Sequence, residues 1–206
     1  MNKDQVQSIL LNELKFSPET IKKLQTFHDE LLNYNKNYNL IANSTIDDIW
    51  SRHILDSAQI IKYIDFNDNE SLSDIGSGAG FPGMIIAIFN SNYSFHVKLY
   101  EKSKIKCDFL LLIKNKLGIN CDIYDDYYQY HNIDANYITF RAFKKLGEIM
   151  KISREIVKVN HKLIILKGKN AVNELNNLQP KVNYKYELQS SITDQESKII
   201  IMDVKN

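Results

Sequence analysis

Apolar positions change their spacing twice along this chain, and each change marks a different architecture. Over the first 66 residues they recur every three or four positions, with no glycine and one proline, which predicts a small helical region. Ser17-Pro18 puts a capping side chain before a proline at the first helical position, and Ile21, Leu24, His28, Leu31 and Leu32 then share a face. Ser44-Thr45-Ile46-Asp47 has the S-x-x-D form of a capping box and predicts a second helix start. Ile46, Ile49, Trp50, His53, Ile54, Ile60 and Ile61 follow it at helical spacing.

From Ser71 short apolar runs alternate with amphipathic stretches, the rhythm of a parallel α/β fold. Strands are predicted over Leu72–Ile75, Val97–Tyr100, Cys121–Tyr124, Tyr137–Phe140 and Lys162–Leu166. The helix after the second strand is expected to bury Ile105, Phe109, Leu112, Ile113 and Leu117, and the one after the fourth Phe143, Leu146, Ile149, Met150 and Ile156. Near the end the rhythm breaks again. Val182, Tyr184, Tyr186 and Leu188 alternate with polar residues, and Ile199–Val204 follows with no room for a crossover helix. Strands joined so closely pair antiparallel. A Rossmann-like α/β sheet of seven strands that closes on an antiparallel pair is the plan of class I S-adenosylmethionine-dependent methyltransferases, not of dinucleotide dehydrogenases. The expected layout is a helical N-terminal extension over 1–66 and one compact sheet domain over 67–206.

Composition narrows the setting. The 206 residues are 44 % hydrophobic and 25 % charged, ordinary for a soluble globular chain. No apolar run approaches the roughly 18 residues of a membrane span. The start, M-N-K-D-Q-V-Q-S-I-L, lacks the apolar core of an export signal, so a cytoplasmic protein is expected, with no membrane partner. Cys107 and Cys121 have neither C-x-x-C spacing nor a histidine cluster and read as buried thiols, and no metal is expected. Net charge is +1, but Arg141 to Lys185 holds eleven Lys/Arg against three Glu. That excess fits either a surface facing a polyanion or a set of solvated helix faces.

The candidate chemistry lies in S-D-I-G-S-G-A-G-F-P-G, Ser73 to Gly83, where two glycine patterns overlap. A glycine turn between a strand and a helix lets a polar ligand approach the backbone. Asp74 stands at the strand's carboxyl end, where a negative charge repels a pyrophosphate and suits a ligand carrying ammonium and sulfonium groups. Glu101 ends the next strand, placed to accept from ribose hydroxyls. With the antiparallel ending, these residues favour S-adenosylmethionine over a dinucleotide, with Asp74, Gly78, Gly80 and Glu101 as candidate contacts.

The chain also resembles the bacterial RsmG family (glucose-inhibited division protein B), the 16S ribosomal RNA guanine-N7 methyltransferases. The likeness covers nearly its whole length. It is carried by Y-N-L-I-A at Tyr38–Ala42, R-H-I-L-D-S at Arg52–Ser57, D-I-G-S-G-A-G-F-P-G at Asp74–Gly83, R-A-F at Arg141–Phe143 and L-K-G at Leu166–Gly168. The resemblance implies cofactor contacts at Gly76, Phe81, Tyr128, Gln129 and Arg141, with Phe81 apolar and Tyr128 and Gln129 beside the adenine. It implies 16S RNA or the small ribosomal subunit as partner; a monomer is expected. Where the family has arginine, a small residue and glutamate, this chain has Tyr127, Tyr128 and Gln129. Backbone contacts would survive that change, and a carboxylate contact would not.

Guanine N7 has a lone pair and no proton, so its methylation requires no general base, and no residue is assigned as catalytic. The only prolines are Pro18, Pro82 and Pro180, so the N-P-P-Y loop of exocyclic-amine methyltransferases is absent. Arg141 could grip a carboxylate as a bidentate pair or meet an RNA phosphate. His53 and Asp56 share a helix face and could bond to each other or reach the loop. Lys144, Lys145, Lys151, Lys167 and Lys169 are phosphate-contact candidates. Two rivals remain at this point: a small-molecule methyltransferase, and an RNA-binding or assembly protein without turnover.

Overall fold

The computed structural model describes residues 1–125, 131–178 and 185–205. Its centre is a seven-stranded sheet of β1 (Ser71–Ile75), β2 (His96–Tyr100), β3 (Cys121–Tyr124), β4 (Tyr137–Arg141), β5 (His161–Lys167), β6 (Lys185–Ser190) and β7 (Lys198–Val204). The spatial order is β3-β2-β1-β4-β5-β7-β6, with the first five strands parallel and β7 antiparallel to both neighbours. This is the class I methyltransferase plan. Six strands lie within one residue of their predicted ends. The alternating run expected from Val182 becomes β6, and Val182 and Tyr184 lie outside the described residues.

The strand order reverses between β1 and β4, which opens a crevice at their carboxyl ends, the usual ligand position of open α/β sheets. One face of the sheet is covered by α6 (Leu146–Ile156) and α7 (Ala171–Asn176). The other carries α4 (Gly83–Phe89) and α5 (Lys104–Leu117). On α5 the buried side chains are Cys107, Phe109, Leu110 and Ile113, while Ile105 and Leu112, expected inside, are exposed at 44 % and 36 %. The helix has apolar residues on more than one side, and periodicity alone does not choose between them.

Residues 1–66 pack over α4 and α5. Helices α1 (Lys3–Asn12) and α2 (Pro18–Asn35) place Val6, Leu10, Leu24, Phe27 and Leu31 in the same apolar core as Met84, Ile85 and Phe109. Ser17 caps α2 as expected, accepting from Thr20 N at 3.0 Å. Buried Asn35 ends it, its Oδ1 accepting from Leu40 N and Ile41 N and so fixing the turn of the Y-N-L-I-A segment.

The helix expected to start at Ser44 does not form there. Asn43–Thr45 is a single 3₁₀ turn, and Thr45 Oγ1 is committed to donating to Ala42 O. The helix proper begins at Ile49 and is a wide π-type helix through Leu55, then α-helical over Asp56–Ala58 (α3) and 3₁₀ over Gln59–Tyr63. A π segment inserts an extra residue per turn and commonly marks a functional site. Here it carries R-H-I-L, with Asp56 and Ser57 of the same motif following in α3.

Candidate functional site

The glycine loop is built from both sides of the switch point. Gly76 N and Ser77 N donate to Tyr100 O, tying the loop to the end of β2. Glu101, 7 % exposed, holds the loop from the same side, with Oε2 accepting from Gly78 N and Oε1 from Ser103 N, each at 2.8 Å. Three of the glycines are packed against protein. A Cβ at Gly76 would lie 2.8 Å from the Phe143 ring, one at Gly80 2.7 Å from Met84 Cβ, and one at Gly83 2.7 Å from the Asp74 carboxylate. Gly78 differs: its φ is +58°, and a Cβ there would meet nothing nearer than Gly76 O at 3.9 Å. Its backbone therefore offers the loop's open face.

Asp74 lies deeper than a ligand contact would. It is 1 % exposed, and its carboxylate accepts from Gly83 N and from Thr139 Oγ1 on β4, both at 2.9 Å. Burial pushes its pKa up to about 6, against the hydrogen bonds from Thr139, Gly83 and Ser77 and the charge of Arg141, which pull it down. The carboxylate caps the first amide of α4, so the spot where a dinucleotide fold seats its pyrophosphate already holds an acidic group.

Phe81 is also turned inward, 5 % exposed. His53 stacks on it at 4.9 Å, Phe27 meets it edge-on at 5.4 Å, and the Arg141 guanidinium lies 5.7 Å above its centroid. One ring thus joins the helical extension, the glycine loop and the end of β4.

Arg141 is the hub of the site. Its Nε donates to Asp56 Oδ2 at 2.9 Å, and its Nη2 donates to Arg52 O at 2.7 Å and to His53 Nδ1 at 3.3 Å. Because a guanidinium only donates, His53 Nδ1 must be the acceptor, so the proton sits on Nε2 and points to Thr45 Oγ1 at 2.9 Å. Burial, then the charges of Arg141 and Arg52, hold the His53 pKa down at about 4, which keeps the ring neutral at physiological pH. His53 and Asp56 are bridged by Arg141 instead of bonding to each other. The bidentate grip expected of Arg141 is also not open: the Nε–Nη2 edge is spent on the protein, and Nη1 alone has no partner among the described residues. Directly after it, Ala142 takes a φ of +48°. That left-handed turn, costing about 1 kcal/mol, sends Arg141 toward Asp56 and Phe143 back onto Gly76.

A cleft of about 900 Å³ opens beside Arg141, lined among others by Arg52, Phe143, Lys145, Lys169 and Asp194. The lysines divide by environment. Lys167 is a structural clamp, pairing with Glu174 at 2.7 Å and donating to Lys144 O, while Glu174 accepts from Leu146 N at the start of α6. Lys144 pairs with Glu148 at 3.0 Å, and Lys151, outside the cleft lining, sits 3.8 Å from Glu155. Lys145 and Lys169 line the cleft with no ion pair or hydrogen bond among the described residues.

The structure therefore holds Gly76, Gly78, Gly80, Phe81 and Glu101 in or against one loop, with Asp74 buried beneath it and Arg141 meeting it through Phe81; of these residues only Arg141 lines the cleft. Tyr128 and Gln129 lie outside the described residues. Sequence reasoning missed Thr139, a small hydroxyl within the strand run Y-I-T-F-R, and the tie from Asp56 to Arg141, which spans 85 positions.

Fold and crevice together define a class I methyltransferase architecture. Solved structures share it at low identity: an S-adenosylmethionine-dependent methyltransferase from Aquifex aeolicus (TM-score 0.57, 14 % identity, covering 82 % of this chain and 97 % of that one) and an O-methyltransferase from Thermotoga maritima (0.56, 14 %, 87 % and 71 %). The family is set by sequence. The family model described as rRNA small subunit methyltransferase G matches residues 20–201. Proteins named ribosomal RNA small subunit methyltransferase G from Rickettsia akari (37 % identity, 91 % of this chain and 95 % of that one) and Rickettsia bellii (39 %, 88 % and 92 %) align over nearly their full lengths. The chain belongs to the rRNA small subunit methyltransferase G family.

Proposed function

We propose that this protein methylates N7 of a guanine in 16S ribosomal RNA, with S-adenosylmethionine as donor. The observation that carries the cofactor reading is Asp74, a buried carboxylate capping the helix behind the glycine loop where an anionic ligand would otherwise sit. The residues present fit such a cofactor. Gly78 leaves an open cradle, and each oxygen of Glu101 takes one backbone amide, leaving acceptor capacity for ribose hydroxyls. When bound, S-adenosylmethionine supplies an electrophilic methyl group on a cationic sulfur.

The chain's own residues bind and orient. Gly78 presents backbone, Glu101 accepts, and Arg141 offers Nη1 to the methionine carboxylate. Asp74 shapes the loop and acts on a cationic ligand through its field. Neutral His53 packs and accepts. N7 needs no deprotonation, so alignment is the main device, and good alignment supplies about 7–11 kcal/mol. Membership of a ribosomal RNA methyltransferase family disfavours the small-molecule rival. No helix among the described residues is long and apolar enough to cross a membrane, and we place the protein in the cytoplasm as a monomer.

Purified protein, labelled S-adenosylmethionine and small subunits or naked 16S RNA test the reading, with the product mapped by cleavage at N7-methylguanine. Label at a guanine N7 is the expected result. No label on RNA at low salt, despite measured cofactor binding, would sink it. The lysines give a finer expectation. Lys145→Ala and Lys169→Ala should each flatten the salt dependence of RNA binding by roughly 0.7 in log–log slope, whereas Lys167→Ala should lower the melting temperature and leave that slope alone.

A further inference from the structure

Arg141 can serve a ligand only if something holds its other donors away, and Asp56 is built to do so. Its side chain is 16 % exposed, and one oxygen, Oδ2, takes Arg141 Nε. The other, Oδ1, accepts from Gln59 Nε2 at 3.0 Å and from Thr193 Oγ1 at 3.2 Å. Gln59 is fixed in turn: its Nε2 also donates to Ser191 Oγ, and its Oε1 accepts from Ile192 N at 2.9 Å. Asp56 is therefore anchored by its own helix and by the turn between β6 and β7, more than 130 positions away, before it meets the arginine. Arg52 O and His53 Nδ1 take both hydrogens of Nη2.

We propose that Asp56 is a positioning residue for the transferase site: it locks the Arg141 guanidinium in the one orientation that turns Nη1 toward the cofactor's carboxylate. The inference rests on the cofactor reading given above. Without Asp56 the flexible arginine retains its charge, but its donors no longer point in a fixed direction. The loss then falls on ligands that carry the carboxylate and spares those that do not. A residue that only stabilised the fold would weaken both alike.

The test compares two probes by calorimetry, S-adenosylmethionine and its decarboxylated form, which keeps the sulfonium and the nucleoside. Asp56→Asn, close to isosteric, is expected to bind S-adenosylmethionine about tenfold more weakly, the cost of one charge-assisted hydrogen bond. Its affinity for the decarboxylated form should match wild type. Thr193→Val, a milder change at the anchor, should show a smaller loss with the same selectivity, and it keeps the test decisive if Asp56→Asn folds poorly. In an Arg141→Ala background the effect of Asp56→Asn should vanish. Equal weakening of both probes, unchanged affinity for both, or an effect confined to RNA binding overturns the proposal. Wild-type protein that binds neither probe overturns the cofactor reading instead, a result distinct from wild type binding both while the substitution makes no difference.

Discussion

Arg141→Ala should lose both stability and cofactor affinity, by comparable amounts. The substitution leaves Asp56 with a largely buried carboxylate and no cation, a loss of about 3 kcal/mol for breaking such a pair. It also uncovers one face of Phe81 and leaves His53 Nδ1 and Arg52 O without their donor. For S-adenosylmethionine the missing Nη1 contact, charge-assisted at both ends, is worth about 1.5–3 kcal/mol, or roughly 10- to 150-fold in Kd. Thermal unfolding and calorimetry separate the two effects, since a folded variant well below its melting temperature still reports affinity. Unchanged affinity in a folded Arg141→Ala protein would move the residue to the RNA side or leave it without a ligand role.

Asp74→Asn should change how stability depends on pH. The folded protein raises this carboxyl from its ordinary value of 3.8 to about 6, burial being the main cause. A raised carboxyl binds its proton more tightly in the folded chain than in the unfolded one. Wild-type stability therefore falls as pH climbs from about 4 to about 6, and above that the ionised, buried group costs on the order of 3 kcal/mol. Asparagine has no such titration. Its amide oxygen can accept from Gly83 N and its amide nitrogen can donate to Thr139 Oγ1, so both bonds survive. The variant is expected to lack the fall between pH 4 and 6 and to be the more stable protein at pH 7.5, read as denaturation midpoints across that range. A wild-type curve flat over the interval would refute the raised carboxyl. The same variant should bind S-adenosylmethionine less well at pH 7.5, with a smaller loss for S-adenosylhomocysteine, which keeps the ammonium group but has no sulfonium to feel the lost charge.

The sheet was readable because its parallel strands are short runs built on buried apolar residues, L-I-I-L most plainly, spaced by amphipathic helices, while Ser73, Asp74 and Lys98 interrupt L-S-D-I and V-K-L-Y. The N-terminal helices were readable, and the apolar face expected of the second, Ile49, Trp50, Ile54, Ile60 and Ile61, is buried. Its start at Ile49 and its π winding were not readable, because a π turn takes one residue more than the 3.6-residue repeat on which helix patterns rest. The glycine loop announced itself, yet the role of Asp74 was only half visible. Its charge could be weighed from sequence, while its partners Gly83 and Thr139, 9 and 65 positions away, are fixed by the sheet register that sets Asp74 beside Thr139. The same holds for Arg141. Its place at the end of β4 followed from the pattern, but the loss of its bidentate edge to Asp56, Arg52 and His53 came only with tertiary packing.

The position of β7 has a consequence for how the protein is made. The last strand of the chain lies inside the sheet, between β5 and β6, and pairs along its whole length with β5. Until β7 has been made, β5 keeps an open edge, and the turn carrying Ser191 and Thr193, which closes on Gln59 and Asp56, is not braced by the β6–β7 pair. Completing the sheet and fixing Asp56 are therefore one event, joined across more than 130 positions.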